Sequence, residues 1–151
     1  MTTKLYRKMV GAWCMYDWAN SAFATTIMAA FFPPFFRSVA LSAGFASNQA
    51  TAFWGYTTAL SLFLAAILAP VLGAVADFSG SKKKLTGIFA GLGILATGLF
   101  ITIGEQMLFW AAILFIFADI GFAGANSFYE SLLPHVAKKG DIDQISTAGY
   151  A

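Results

Sequence analysis

The sequence is poor in charged residues and in cysteine. Asp, Glu, Lys and Arg make up 11% of its 151 residues and hydrophobic residues 59%, whereas an average soluble domain carries about 25% charged residues. This shortage of charge excludes an ordinary soluble domain and indicates a protein that lives in lipid. The single cysteine, Cys14, lies in an apolar segment and has no partner within the chain, which excludes an internal disulfide framework.

Residues that usually bind cofactors or nucleic acids are scarce as well. The chain has one histidine, His135, and it contains no nucleotide-binding loop, metal cluster or nucleophile arrangement. The net charge of +2 is small, and the basic residues form short clusters beside apolar runs rather than one polar face. The sequence therefore predicts no cofactor, no metal and no nucleic-acid partner, and it argues against an enzyme.

Long apolar runs are what the sequence has in abundance. Four runs, near residues 13–36, 51–76, 85–103 and 107–133, can each cross roughly 30 Å of hydrocarbon as a helix that rises about 1.5 Å per residue. Helices are required because lipid offers the backbone no hydrogen-bond partners. We therefore predict an all-α integral membrane protein, with residues 1–12 as an N-terminal segment and residues 13–151 as part of a transmembrane bundle. A fifth helix starts near residue 146, so we expect the natural protein to be longer.

The basic residues predict how the chain is oriented. Eight of its nine Lys and Arg residues lie before the first run, between the second and third runs, or after the fourth, and Arg37 is the exception. Cytoplasmic loops accumulate Lys and Arg. We therefore expect a multi-pass protein with a cytoplasmic N-terminus, in the plasma or inner membrane if the source is bacterial, surrounded by the lipid bilayer.

Polar residues inside the runs are the candidate functional residues. An ionisable side chain at the bilayer centre costs about 3 kcal/mol or more, so it usually faces a protein interior or a wet cavity. Asp119, Asn126 and Glu130 share one face of the fourth run, and Asp17 and Asn20 share one face of the first. We interpret these residues as a transport pathway or a site of proton coupling. The alternative is that they only hold helices together or, for Asp17, pair with a basic residue or cap a helix.

Small residues and prolines predict local structure. Gly87 and Gly91, four residues apart in the third run, predict close packing against a neighbouring helix. Pro33 and Pro34 predict a helix end or a sharp turn.

The loop between the second and third runs carries a recognisable pattern. Gly73, Asp77 and Gly80 are followed by the basic residues Lys82, Lys83 and Lys84, and this spacing resembles the loop between helices two and three of the major facilitator superfamily. Three further segments resemble the vacuole effluxer-like branch of that superfamily, namely Tyr16–Phe23, Phe128–Pro134 and Ile145–Tyr150.

The resemblance implies a secondary transporter of small solutes, in a branch that is associated with amino-acid efflux. Such proteins have two six-helix halves that rock around a central site, so this chain would be an N-terminal portion that needs a missing C-terminal half or an oligomeric partner. The resemblance also implies that Asp77 locks the cytoplasmic side shut together with the basic residues. Phe78 and Ser81 stand where relatives often have basic residues, which leaves Lys82 to Lys84 to supply the charge.

Two other functions stay open at this stage. In the first, the chain is a complete four-helix protein that acts as an oligomeric small exporter, with Asp17 as its proton and substrate carboxylate. In the second, it is a structural membrane subunit whose polar and small residues only hold helices together. The length of the natural product separates the first alternative from a transporter fragment, and the absence of any substrate-dependent effect would favour the second.

Overall fold

The computed structural model describes residues 3–79, 81–132 and residue 147, and all regular structure in these ranges is helical. Four stretches are long and apolar enough to cross a membrane, and we call them spans 1 to 4: Tyr6–Ser42, Ser47–Val75, Lys82–Thr102 and Leu108–Glu130. The predicted all-α membrane fold is therefore confirmed. The fifth helix predicted from residue 146 onward lies, except for Thr147, outside the described residues.

Span 1 consists of three helical segments of different geometry. They are α1 (Thr3–Ala22), a π-helical segment (Phe23–Phe31) and α2 (Phe32–Ser42). Pro33 and Pro34 lie in the first turn of α2, directly after the π segment ends at Phe31, so a helix boundary is found where they predict one. The chain nevertheless stays helical across this boundary and makes no sharp turn there. A proline lacks the N–H group and its ring clashes with the carbonyl four residues earlier, and wider π-type hydrogen bonding before the prolines is one way to continue past this obstacle.

The other spans are continuous helices joined by short turns. Span 2 lies within α3 (Ser47–Ser79), span 3 comprises α4 (Lys82–Gly98) and a 3₁₀ turn (Leu99–Thr102), and span 4 is α5 (Leu108–Glu130). Gly44 has a φ of 86° in the turn between α2 and α3, a backbone conformation that glycine adopts without steric cost.

Helix α5 lies at the centre of the described bundle. It packs against α4 and α3, and it also contacts α2. Its buried face is rich in small residues, including Ala111, Ala118, Gly121 and Ala125. Small residues let neighbouring backbones approach closely, which is the main source of helix association in lipid.

A close backbone approach joins α4 to α5 through glycine. A Cβ atom added to Gly121 would lie 2.7 Å from Cα of Gly93 and 2.8 Å from the carbonyl oxygen of Phe89. By contrast, no described atom lies within 4 Å of a Cβ added to Gly87 or Gly91. Among the described residues, Gly87 and Gly91 therefore make no close helix contact, and the face of α4 that meets α5 is centred on Gly93 instead.

An aromatic cluster holds span 1 at the α2 end. The ring of Phe32 is fully buried, and its centroid lies 4.5 Å from that of Phe100, 5.0 Å from Phe115 and 5.9 Å from Trp54. Phe36, one turn further along α2, is also fully buried and lies 5.3 Å from Trp54. This end of span 1 is therefore fixed against spans 2, 3 and 4.

Candidate functional site

Spans 1 and 4 meet along an antiparallel seam of paired side chains. Asn20 Nδ2 donates a hydrogen bond of 2.9 Å to Asn126 Oδ1. Just beyond the end of α1, at the start of the π-helical segment, the ring of Phe23 lies 5.3 Å from that of Phe122. Residue numbers rise along one helix as they fall along the other, as expected for two helices that cross the membrane in opposite directions.

Aromatic rings close the α1 end of this seam. The Tyr129 ring stacks on Trp13 with a centroid distance of 4.6 Å and lies the same distance from Tyr16. The Tyr129 hydroxyl also donates a hydrogen bond of 2.7 Å to the backbone carbonyl of Trp13. Because stacked aromatic pairs contribute beyond their buried area, we infer that this group holds α1 against α5.

Asp17 lies on the seam between the Asn20–Asn126 hydrogen bond and the Trp13–Tyr129 stack. Its side chain is 8% exposed, and its Oδ2 atom is buried without a hydrogen-bond partner in the part of the chain that the structure describes. The indole Nε1 of Trp13, one turn earlier, is likewise buried and unpaired there. Buried polar groups are normally satisfied by protein, water or ligand, so these two atoms identify a place where span 1 can take a further partner.

Asp119 lies in the middle of span 4 and pairs with span 2. It is the twelfth of the 23 residues of α5 and is 5% exposed. The hydroxyl of Ser61, which is fully buried in α3, donates a hydrogen bond to Asp119 Oδ2. The hydroxyl of Thr57, one turn away in α3, donates a hydrogen bond of 2.8 Å to the backbone carbonyl of Phe53 in its own helix. The middle of span 4 thus contains a carboxyl group with one oxygen held by a hydroxyl.

A cavity of about 350 Å³ lies between spans 1, 3 and 4. Ligand pockets in proteins start at about 300 Å³. The walls are largely apolar, and Tyr16, Asn20 and Thr97 supply the polar groups: Tyr16, Ala19, Asn20, Phe23, Ala90, Gly93, Ile94, Thr97, Ala118, Phe122 and Ala125.

The motif loop is described only in part. Gly73 lies in α3, and the backbone of Asp77 continues that helix to Ser79. The side chain of Asp77 and all of Gly80 lie outside the described part of the chain. Helix α4 begins at Lys82, which is half-buried, and Lys83 and Lys84 are exposed. The lock implied by the loop pattern therefore stays a prediction.

The candidate residues from the sequence fall into different settings. Asn20 and Asn126 are bonded to each other, and Asp119 bonds to α3. The Oδ2 atom of Asp17 has no hydrogen-bond partner among the described residues. Glu130 is exposed as the last residue of α5, so it does not share their burial.

Sequence reasoning missed Ser61 and the aromatic residues around Asp17. The spacing of Thr57 and Ser61, one turn apart within an apolar run, is the signal that could have identified the partner of Asp119. Among the described residues, His, Cys, Asp and Glu do not form a group of three that could hold a metal ion.

Comparison with known proteins decides the family. The model of the family described as "Vacuole effluxer Atg22 like" matches residues 42–148, which is more than half of the chain. The chain belongs to the vacuole effluxer Atg22-like family. The resemblance predicted from the loop and the end motifs is therefore confirmed.

A bacterial relative of this Atg22-like chain is described as a transporter of a wider group. It is 37% identical over 147 residues to the uncharacterized MFS-type transporter YxiO of Bacillus subtilis (strain 168), where MFS denotes the major facilitator superfamily. The match includes 97% of this chain and 34% of the relative, so the chain spans about a third of the length of that protein. No solved structure matches the chain.

Proposed function

We propose that this chain forms the first part of a secondary transporter that moves a small solute across the membrane by alternating access. Amino acids are the solute class to test first, because the resemblance to the vacuolar branch implies them. Family membership and the four apolar spans support this proposal. The observation that carries it is the Asp119–Ser61 pair, buried between two spans at the middle of α5.

Asp119 is the proposed site of proton coupling. A carboxyl group at this depth is costly unless it serves a pathway or is neutral, and its bond to Ser61 joins α5 to α3. Gain or loss of a proton changes whether Asp119 Oδ2 accepts from Ser61 as a carboxylate or as a carboxylic acid. Proton binding can therefore bias the packing of span 4 against span 2 and with it the balance between two states.

The polar residues of the seam are the proposed solute pathway. Asp17 and the Asn20–Asn126 pair lie where spans 1 and 4 meet, and Asn20 also lines the cavity. Glu130, which is exposed at the end of α5, would then lie at the entrance of the pathway.

The motif loop is the proposed lock on the cytoplasmic side. An aspartate favours the positively polarised N-terminal end of a helix and neighbouring lysines. Asp77 lies just beyond the end of span 2, and Lys82 to Lys84 begin span 3, so their attraction would stabilise one of the two states.

Alternating access requires a second bundle that rocks against this one. YxiO is about three times as long as its matched part, since the match covers 34% of it. We propose that the missing helices are supplied by further chain or by a second copy, and the intact mass of the membrane-extracted protein distinguishes these two sources.

Solute release from liposomes tests the proposal. The purified protein is reconstituted into liposomes loaded with an amino-acid mixture, and release is measured with a pH gradient and after a protonophore has collapsed it. We expect faster release than from protein-free liposomes, and we expect the rate to follow the gradient. Release equal to that from protein-free liposomes would contradict transport, and release that ignores the gradient would contradict proton coupling.

A further inference from the structure

The π-helical segment of span 1 is unusually long. It extends over the nine residues Phe23–Phe31, and the N–H of Phe32 bonds to the carbonyl of Ile27, five residues earlier. π-Helical geometry is rare, occurs mostly as single turns inside α-helices and is frequent at functional sites. Nine residues exceed one turn, so the widened geometry is an extended feature of this span.

The two ends of span 1 are held more firmly than the π segment between them, whose contacts with the rest of the bundle are the Phe23–Phe122 ring pair and the partly buried side chains of Ile27 and Met28. No residue of Phe23–Phe31 is buried. On one side, Phe32 and Phe36 are fully buried in the aromatic cluster. On the other side, α1 is held to α5 by the Asn20–Asn126 bond and by the stack of Trp13 on Tyr129.

The sequence explains both the position of this segment and its weak backbone hydrogen bonding. Pro33 and Pro34 remove two backbone donors directly after it, which interrupts the α-helical hydrogen-bond ladder. Within it, the Thr25 hydroxyl donates a hydrogen bond of 2.9 Å to the backbone carbonyl of Ser21. Such a bond competes with the backbone hydrogen bonds of the helix and often bends it. Few buried contacts and weakened backbone bonding are the marks of a segment that rearranges at low cost.

We propose that Phe23–Phe31 is a hinge at which α1, carrying Asp17 and Asn20, turns relative to α2, which stays fixed in the aromatic cluster. In a π-helix each backbone N–H bonds to the carbonyl five residues earlier, and in an α-helix to the carbonyl four residues earlier. When one backbone N–H of the segment changes from the first kind of bond to the second, the hydrogen-bond register of the helix shifts by one residue. Such a shift turns the moving part by about 100°, and at the outer surface of a helix roughly 10 Å across this is a displacement of about 8 Å. The turn would carry Asp17 and Asn20 off the seam with α5.

Distances between spin labels test this hinge without any transported solute, so the result is independent of the liposome assay. In protein with Cys14→Ala, one label pair is placed at exposed Arg7→Cys and Glu130→Cys, which report on α1 against α5. The second pair, at exposed Ser38→Cys and Glu105→Cys, reports on α2 against the turn that precedes α5. Both pairs are measured in lipid nanodiscs by double electron–electron resonance.

We expect two populations for the first pair, separated by up to about 8 Å, and one population for the second pair. In the variant Pro33→Ala/Pro34→Ala, the restored N–H donors favour an α-helix throughout, so the first pair should collapse to one population. Pro70→Ala, which removes the exposed proline inside α3, is the matched control and should leave both populations in place. A single population for the first pair in the parent protein would overturn the hinge, as would two populations that persist without the prolines.

Discussion

Replacing Gly121 by alanine disturbs the close backbone contact between α4 and α5. The added Cβ would lie 2.7 Å from Cα of Gly93 and 2.8 Å from the carbonyl oxygen of Phe89, whereas ordinary van der Waals contact begins at 3.4 Å. The backbone nitrogen of Gly93 would lie nearer still, and no side-chain rotation can relieve these contacts, because all three neighbours are backbone atoms. Helices α4 and α5 must therefore move apart.

The expected cost follows from this separation. Forcing extra atoms into a well-packed interior typically costs about 1–3 kcal/mol, and we expect the free energy of unfolding to fall by that amount in Gly121→Ala. Gly124→Ala should cost less, because its Cβ meets only the side chain of Phe89, with Cγ at 2.8 Å, and the ring can turn away. Gly91→Ala is the matched control, since no described atom lies within 4 Å of the added Cβ.

Unfolding in mixed micelles of mild detergent and SDS, followed by tryptophan fluorescence, measures these differences. The predicted order of unfolding, from the lowest SDS fraction to the highest, is Gly121→Ala, Gly124→Ala and Gly91→Ala. If Gly121→Ala unfolds at the same SDS fraction as Gly91→Ala, the glycine contact does not hold α4 to α5 and the reasoning is refuted.

Two further predictions concern the seam and the loop. A double-mutant cycle of Asn20→Ala and Asn126→Ala, read from unfolding in the same micelles, should give a coupling of about 0.6 kcal/mol, the average for hydrogen bonds between membrane helices; additive single effects would show that the amides do not interact. Asp77→Asn should slow solute release from liposomes while the protein still inserts into the membrane, because the attraction to Lys82–Lys84 that stabilises one state is lost. Release at the unmutated rate would count against a lock at Asp77. If the lock is electrostatic, Lys84→Gln should also lower the rate of solute release.

The all-helical membrane fold could be predicted from the sequence because the bilayer imposes it. Uninterrupted apolar runs longer than about 20 residues leave the backbone no partner except itself, and the four spans follow from that constraint alone. The polar faces that contain Asn20 and Asn126 could also be predicted, since they depend only on helical periodicity.

The pairing of these residues could not be predicted from the sequence. Asn20 and Asn126 are 106 positions apart, and their meeting depends on the relative depth of two spans, which hydropathy does not determine. The same limit explains why α4 meets α5 at Gly93 and Gly121. Gly87 and Gly91 are four residues apart, a spacing that favours close packing, but they do not lie on the face of α4 that meets α5. The π segment could not be predicted for another reason. Pro33 and Pro34 indicate an interrupted hydrogen-bond ladder, but whether the chain turns or stays helical there depends on tertiary packing, such as that of Phe32 and Phe36 on either side of them.

Asp119 is the residue on which the proposed coupling depends. Solute release from liposomes with and without a pH gradient, compared between the unmutated protein and Asp119→Asn, therefore tests the central claim most directly. Asparagine keeps the size of the side chain and can still accept from Ser61, but it cannot exchange a proton. We predict that Asp119→Asn inserts and folds while its release no longer responds to the gradient; an unchanged response to the gradient would contradict the account.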